Sequence, residues 1–233
     1  MVLLGALANG ISVIFGTLLG SLFRRIPDSM KDTVMNVMGL AVIVLGIQMG
    51  FKSANFLIVI LSLVIGAIIG ELLFLENKIN QLGNWLEKKL GSSKQGNISQ
   101  GFVTATLVFV VGAMGILGAL DSGIRGNHDI LYTKSIMDGF IAIILTTTLG
   151  VGVIFSAIPI ILYEGLIALF ATQINLFIPD SLMNQIIIEM TATGGIMILA
   201  IGTNLIGLTK VKVANLLPGI IVSAIIVSIL YKF

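Results

Sequence analysis

Long apolar runs separated by short polar breaks organise the whole sequence. Eight of them read as helices, at 2–22, 33–51, 55–75, 101–120, 135–154, 157–177, 190–208 and 214–231. Each approaches the roughly 20 residues a helix needs to cross about 30 Å of hydrocarbon. The fifth and sixth runs are parted only by SAIP (156–159). The residue before a proline is disfavoured in helix, so a break is expected there; a single kinked span would leave seven crossings. The main polar stretch is ENKINQLGNWLEKKLGSSKQGNISQ (76–100). In it Ile79, Leu82, Leu86 and Leu90 recur at three- and four-residue steps, with lysines on other faces. This predicts a short amphipathic helix in the membrane interface, with Trp85 at headgroup level. GSSKQGN then reads as a flexible linker.

Composition strengthens the membrane reading. Apolar residues make up 57% of the 233 and charged residues 10%, against about a quarter charged in soluble domains. Mean hydropathy is +1.11. The net charge of +2 does not point to nucleic acid. There are no cysteines, so disulfides, thiolate chemistry and cysteine-ligated metals are excluded. No basic n-region precedes the first apolar run, as a cleaved signal would require. Arg24 and Arg25 follow it instead, which predicts a retained first helix that starts outside. In the eight-helix arrangement the inner loops then carry nine basic residues and the outer side four. Positive charge marks the cytoplasmic face, so both termini are expected to be extracytoplasmic.

The chain also resembles itself. Ile26-Pro27-Asp28-Ser29 recurs as Ile178-Pro179-Asp180-Ser181. With a four-residue insertion, GLAVIVLGIQ (39–48) falls on GIMILAIGTN (195–204), matching Gly39 with Gly195, Gly46 with Gly202 and Gln48 with Asn204. After a further slip, Ala54-Asn55 falls on Ala214-Asn215. Spans 1–3 therefore look like spans 6–8. They lie five crossings apart, an odd number, so the copies would be inverted in the membrane, as in many secondary transporters. That would explain why only the first copy of the motif carries flanking arginines.

Polar residues inside the runs are candidates for function, because they are costly in lipid. As a substrate-binding set the sequence offers Asn9, Gln48, Thr104, Thr106, Thr147, Thr191, Thr193, Gly194, Gly195 and Asn204; Glu71 and Asp138 are the candidate ion-coupling acids. Each has a structural alternative. Glu71 can reach the interface, Asp138 can complement a helix start and pair with Lys134 four residues earlier, and the threonines can bond their own helices. Gly194-Gly195 is a place where span 7 could break and expose N–H groups; Gly112, Gly115 and Gly118 could do the same in span 4. Gly16/Gly20, Gly46/Gly50 and Gly66/Gly70 read as close-packing steps. The loop DSGIRGNHDILYTK (121–134) collects Asp121, Arg125, His128 and Asp129, a gate or re-entrant turn if not an ordinary exposed loop. One histidine and two aspartates are a weak metal signal, and no metal is expected.

GAMGILGALDSGIRGNHDILYTKSIMDGF (112–140), TTTLGVGVIFSAIPIILYEG (146–165), MTATGGIMILAIGTNLIGLTKVKVANLLPGI (190–220), GAIIGE (66–71) and the surroundings of Asn9 resemble the YdfK/YqgA-like bacterial inner-membrane family, domain of unknown function 554. The likeness covers nearly the whole chain. It implies a bacterial plasma-membrane protein and names no substrate; it places Asn9, Glu71, Lys134, Asp138 and the TATGG run on recurring positions. Ala113 and Glu164 depart from it, where proline and glutamine are expected, and the second departure argues against Glu164 as an obligate proton carrier.

The expectation is an all-α polytopic membrane protein of seven or eight transmembrane helices with an inverted repeat. Its segments are a first repeat at 1–75, a cytoplasmic amphipathic helix and linker at 76–100, a middle pair at 101–154 and a second repeat at 155–233. The expected function is a secondary transporter or facilitator of a small solute, with a passive channel or a membrane scaffold as alternatives. An enzyme built on Asp121, His128 and Asp129 lacks any nucleophile–base spacing and is not expected. No cofactor is called for. The partner is the bilayer, and a homo-oligomer is compatible with so apolar a surface.

Overall fold

A computed structural model describes residues 1–22, 28–90, 97–111 and 113–231. Arg24, Arg25, the first IPDS copy up to Pro27, most of the GSSKQGN linker with Lys94, Gly112 and Lys232 lie outside the described residues, as do the side chains of Asp28, Ser29, Lys31, Lys88 and Lys89. Most of the described residues are helical, and none of them lies in a strand. The order is α1 (Leu4–Leu22), α2 (Asp28–Gly50), α3 (Phe56–Leu72), α4 (Leu75–Leu90), α5 (Asn97–Val110), α6 (Ala113–Ile124), α7 (Asp129–Leu149), α8 (Ala157–Leu169), α9 (Ala171–Phe177), α10 (Asp180–Leu205) and α11 (Pro218–Leu230). Short 3-10 segments, Val151–Ser156 and Val213–Leu216, lead into α8 and α11.

Among the described residues five helical segments are long and apolar enough to cross a membrane: Leu4–Leu22, Asp129–Leu149, Val151–Leu169, Asp180–Leu205 and Val213–Leu230. The count is seven if each of two bent pairs is one span, α3 with Leu75–Gln81 at 57° and α5 with α6 at 60°. The expected second span is found as α2, of which Gly39–Gly50 is the apolar part. The faces are those of lipid-facing helices. In α1 Asn9, Gly16, Thr17 and Gly20 are buried, while Ile11, Phe15, Leu18 and Leu22 are exposed. Small and polar residues pack inward because lipid removes the hydrophobic reason to bury large ones.

Boundaries moved for physical reasons. The break between the fifth and sixth spans falls at Gly150 (φ 82°), not at SAIP. Pro159 sits in the first turn of α8, where its missing N–H costs nothing. The seventh span begins at Asp180, ten residues before the expected start, and runs unbroken through Gly194-Gly195 to Leu205; the expected break there is not found. The predicted amphipathic segment is α4, which leaves α3 at a bend where Phe74 takes φ 54°.

The helices form two compact units that interleave along the chain. Unit 1 is Met1–Pro27 with Asn80–Phe177; unit 2 is Asp28–Ile79 with Ile178–Phe233. In unit 1, α1 packs along α7, and α8 packs on α1 and α6. In unit 2, α2 packs along α10 and α3 along α11. All three predicted glycine pairs mark these contacts. A Cβ on Gly16 would strike the Gly139 carbonyl, and one on Gly20 would lie 2.5 Å from the Ile143 carbonyl. One on Gly46 would lie 2.6 Å from the Gly195 carbonyl, and Gly66 and Gly70 meet the backbone of Gly219 and Asn215. Gly195 itself packs on Met49 and Gly50, so it serves helix contact rather than helix breaking.

Backbone cannot give way as a side-chain tip can. Gly195→Ala is therefore expected to destabilise by about 1–3 kcal/mol, the usual overpacking cost, or more. Gly165→Ala, where the added carbon meets only Leu3 Cδ2 at 3.4 Å, should be near neutral. Thermal unfolding in detergent compares the two.

A candidate functional site in the Lys134 network

Four polar side chains meet inside unit 1. Asn9 comes from α1, Lys134 and Asp138 from α7, and Glu164 from α8; all are at least nine-tenths buried. Lys134 and Asp138 stand one turn apart on one helix face and form a close ion pair. Lys134 Nζ also donates to the Phe109 carbonyl at 2.7 Å and lies 3.6 Å from Glu164 Oε1. Asn9 Nδ2 donates to the same Glu164 Oε1 at 2.8 Å. Glu164 Oε2 and Asn9 Oδ1 are buried with no hydrogen-bond partner.

Each position has a local cause. Phe109 lies in the last turn of α5, just before the bend, where a carbonyl loses its helical partner and is free to accept from an ammonium. Beyond the bend, a Cβ on Gly115 would lie 3.6 Å from Lys134 Cε, 3.6 Å from Tyr163 Cε1 and 3.7 Å from Glu164 Oε1. The start of α6 thus borders the network without crowding it. Ser12 Oγ donates to the Ser135 carbonyl at 2.6 Å and fixes α1 against α7 beside the ion pair.

The sequence-derived candidates divide. Asn9 and Asp138 belong to this network. Thr104 is buried nearby in sequence on α5, and Thr106 Oγ1 is buried without a partner. Thr147 bonds back to the Ile144 carbonyl at 2.7 Å, the helix-internal alternative. In unit 2, Thr191 and Thr193 are buried, Gly194 and Gly195 sit in continuous helix, and Gln48 is exposed. Asn204 folds the turn after α10, taking Thr209 and the Val211 backbone as partners. Its match with Gln48 is therefore not a shared environment. Glu71 is in the other unit from Asp138, with its side chain 58% exposed, and pairs with Lys212 at 2.7 Å and with Asn215. The four gate residues do not converge: Asp121 pairs with Arg125 at 3.4 Å, His128 meets Ser122, and Asp129 opens α7.

Sequence reasoning underrated Lys134, noted as a partner of Asp138 and as a recurring position but not as a candidate for the site, and Glu164, argued against by resemblance. A glutamate in the middle of an apolar run was the available signal. It missed Glu189 because the seventh span was begun one residue after it. Glu189 is buried and accepts from Ser53 Oγ (2.6 Å), the Ala54 N–H (2.8 Å) and the Asn55 N–H (3.0 Å). That makes it the anchor of the start of α3, with both oxygens satisfied by a structural task.

Comparison with known proteins agrees with this membrane architecture. Residues 4–228 match the profile of the family described as "Protein of unknown function (DUF554)". The chain belongs to that family. It is similar to "Uncharacterized membrane protein YdfK" of Bacillus subtilis (strain 168), 32% identical over 98% of this chain and 97% of that protein. It is also similar to "Uncharacterized protein YqgA" of Escherichia coli (strain K12), 29% identical over 94% of each. No solved structure matches it. The chain is a membrane protein.

Removing one partner of a buried ion pair leaves the other charge uncompensated, at about 3–5 kcal/mol. Lys134→Met is expected to destabilise by that order. Lys134→Met combined with Asp138→Leu should cost much less than the sum of the single changes. A double-mutant cycle of thermal stability in detergent checks this.

Proposed function

We propose that the protein is a secondary transporter or facilitator that moves a small solute across the bacterial plasma membrane, with no enzymatic step. The observation that carries this reading is the Asn9–Lys134–Asp138–Glu164 network. It places three ionisable groups inside segments apolar enough to cross a membrane, beside a helix bend. Ionisable groups in such segments are expensive and mark ion or solute pathways by default, and bent or broken helices at the site are a transporter device. Asp138 and Glu164 are the coupling acids in this reading, and Asn9 and Thr106 offer polar contacts to the solute.

Helix register supports an inverted repeat. Internal likeness equates Gly39 with Gly195 and Gly46 with Gly202. In a two-fold contact between equivalent elements, residue i meets j and the equivalent of i meets the equivalent of j. Gly39 packs on Gly202 and Gly46 on Gly195, which is that exchange. Both Ala-Asn steps also give a backbone N–H to a carboxylate, Ala54 to Glu189 at 2.8 Å and Ala214 to Glu76 at 3.0 Å. An inverted repeat would put Ser29 and Ser181 on opposite sides of the membrane, and the excess of basic residues around the first copy assigns Ser29 to the cytoplasm.

Two measurements test the proposal. The chain has no native cysteine, so Ser29→Cys and Ser181→Cys each create the only thiol. An impermeant thiol reagent on intact cells should label Ser181→Cys, and Ser29→Cys only after lysis; labelling of both from one side removes the repeat. In proteoliposomes, solid-supported-membrane currents over a panel of small solutes should depend on a proton or sodium gradient and be abolished by Asp138→Asn. Gradient-independent flux makes it a channel, and no flux with any solute makes it a scaffold.

A further inference from the structure

Glu164 and Asn9 leave a matched pair of oxygens unpaired. Asn9 Nδ2 donates to Glu164 Oε1 at 2.8 Å, while Asn9 Oδ1 and Glu164 Oε2, the second oxygens of the same two planar groups, are buried and partnerless. A carboxylate can only accept, so an ionised Glu164 gives neither oxygen a donor. A carboxylic acid donates one O–H. One proton on Oε2, donated to Asn9 Oδ1, would satisfy both atoms and close an acid–amide ring. Buried polar atoms without partners call for such an explanation.

Charge agrees. Lys134 is the only cation in the network, it sits against Asp138, and its spare reach to Glu164 Oε1 is 3.6 Å. Two ionised acids would leave a net negative charge in a site that all four side chains seal from solvent. A protonated Glu164 leaves the Lys134–Asp138 pair neutral. Among the described residues no group of three or more His, Asp or Glu converges to hold a metal instead.

Resting on the transporter reading, the geometry points to Glu164 as the proton-binding residue of this protein, with Asn9 as its ring partner and the coupling ion a proton. Binding forms the Oε2–H bond on the carboxylate. Release requires a movement of α8 that opens the site to water; the O–H bond then breaks, water takes the proton, and the carboxylate left behind meets Lys134, which shares itself between Asp138 and Glu164. The groups facing Glu164 are Asn9 from α1, Lys134 and Asp138 from α7, Gly115 from α6 and the neighbouring Tyr163 ring. Asp121 of α6 is paired with Arg125, just beyond the end of that helix. The other elements packed on α8, which are α5, Val151–Ser156 and α9, carry no titratable side chain.

Infrared difference spectroscopy of the full chain in lipid, read against pH, tests this. Wild type should show the carbonyl stretch of a buried carboxylic acid, and the band should disappear as the pH is raised. Glu164→Gln, which keeps the ring through its own amide N–H, should lose that band. Glu71→Gln, in the other unit and outside this network, should keep it. Asn9→Ala should shift the band, since the acid loses its hydrogen-bond partner; this arm stands even where Glu164→Gln does not fold. A spectrum without the band, or a band indifferent to both Glu164→Gln and Asn9→Ala, overturns the assignment. Proton-driven flux that survives loss of the band in Glu164→Gln overturns the coupling role and leaves the transporter reading standing. A titrating band in a protein without flux upholds the proton site and removes the transporter.

Discussion

A lysine ammonium inside a membrane-crossing helix must be compensated within reach of its own side chain. Water is absent there, and an isolated charge is expensive. Lys134 meets this demand with partners from two sources: an aspartate one turn along its own helix and a main-chain carbonyl from the bent end of α5. The rest of unit 1 follows from holding those groups together. The α5–α6 bend frees the carbonyl, α8 brings in Glu164 beside the ammonium, and α1 closes the network through Asn9. That closure needs α1 very near α7, which is why Gly16 and Gly20 face α7 main chain where any Cβ would collide. Glycine at the contact and charge in the interior are one arrangement: the first permits the distance that the second requires.

Unit 2 uses the same close approach with no buried cation among its described residues. Gly39 and Gly46 against Gly202 and Gly195 bring α2 onto α10, and the buried acid there, Glu189, is saturated by one hydroxyl and two N–H groups at the start of α3. A carboxylate bonded at both oxygens to a helix start is held in place by the helix end as well as by hydrogen bonds. Its counterpart Glu164 has one oxygen satisfied and one not. Two buried glutamates of similar burial thus differ in what surrounds them: one has a structural task with no spare valence, and the other keeps an open valence beside the Lys134 ammonium.

Much of this was legible in the residues. The helices exist where apolar runs exist, and the three glycine pairs at four-residue spacing all became backbone contacts, because small residues have few other uses on a helix face in lipid. Asn9 and Asp138 stood out as polar residues within apolar runs, and both are in the network. What was not legible depends on contacts between distant segments. Gly194-Gly195 has the local character of a break, yet packing on Met49 and Gly50 keeps α10 straight. The start of α10 lies among polar residues that no hydropathy pattern would count as membrane helix, and that hid Glu189. Glu71, late in an apolar run, could turn inward or reach the interface by sequence alone; in the structure it pairs with Lys212, 141 residues away. Glu164 was judged by resemblance when its own surroundings were the better guide.

The roles of the two acids beside Lys134 can be separated on electrostatic grounds. The cost of taking an ion out of water is several kcal/mol even after relaxation, and one ammonium can offset it fully for one carboxylate only. Asp138 holds the better claim, because its helical spacing from Lys134 is fixed by backbone geometry and survives any movement of α8. Glu164 reaches the network from a separate helix, through a longer contact to Lys134 and a hydrogen bond to Asn9. Any shift of α8 relative to α1 and α7 changes the surroundings of Glu164 first and leaves the Lys134–Asp138 pair intact. A group whose charge is uncompensated, whose second oxygen is open, and whose position follows the motion of one helix is where a change of protonation and a change of conformation can depend on each other.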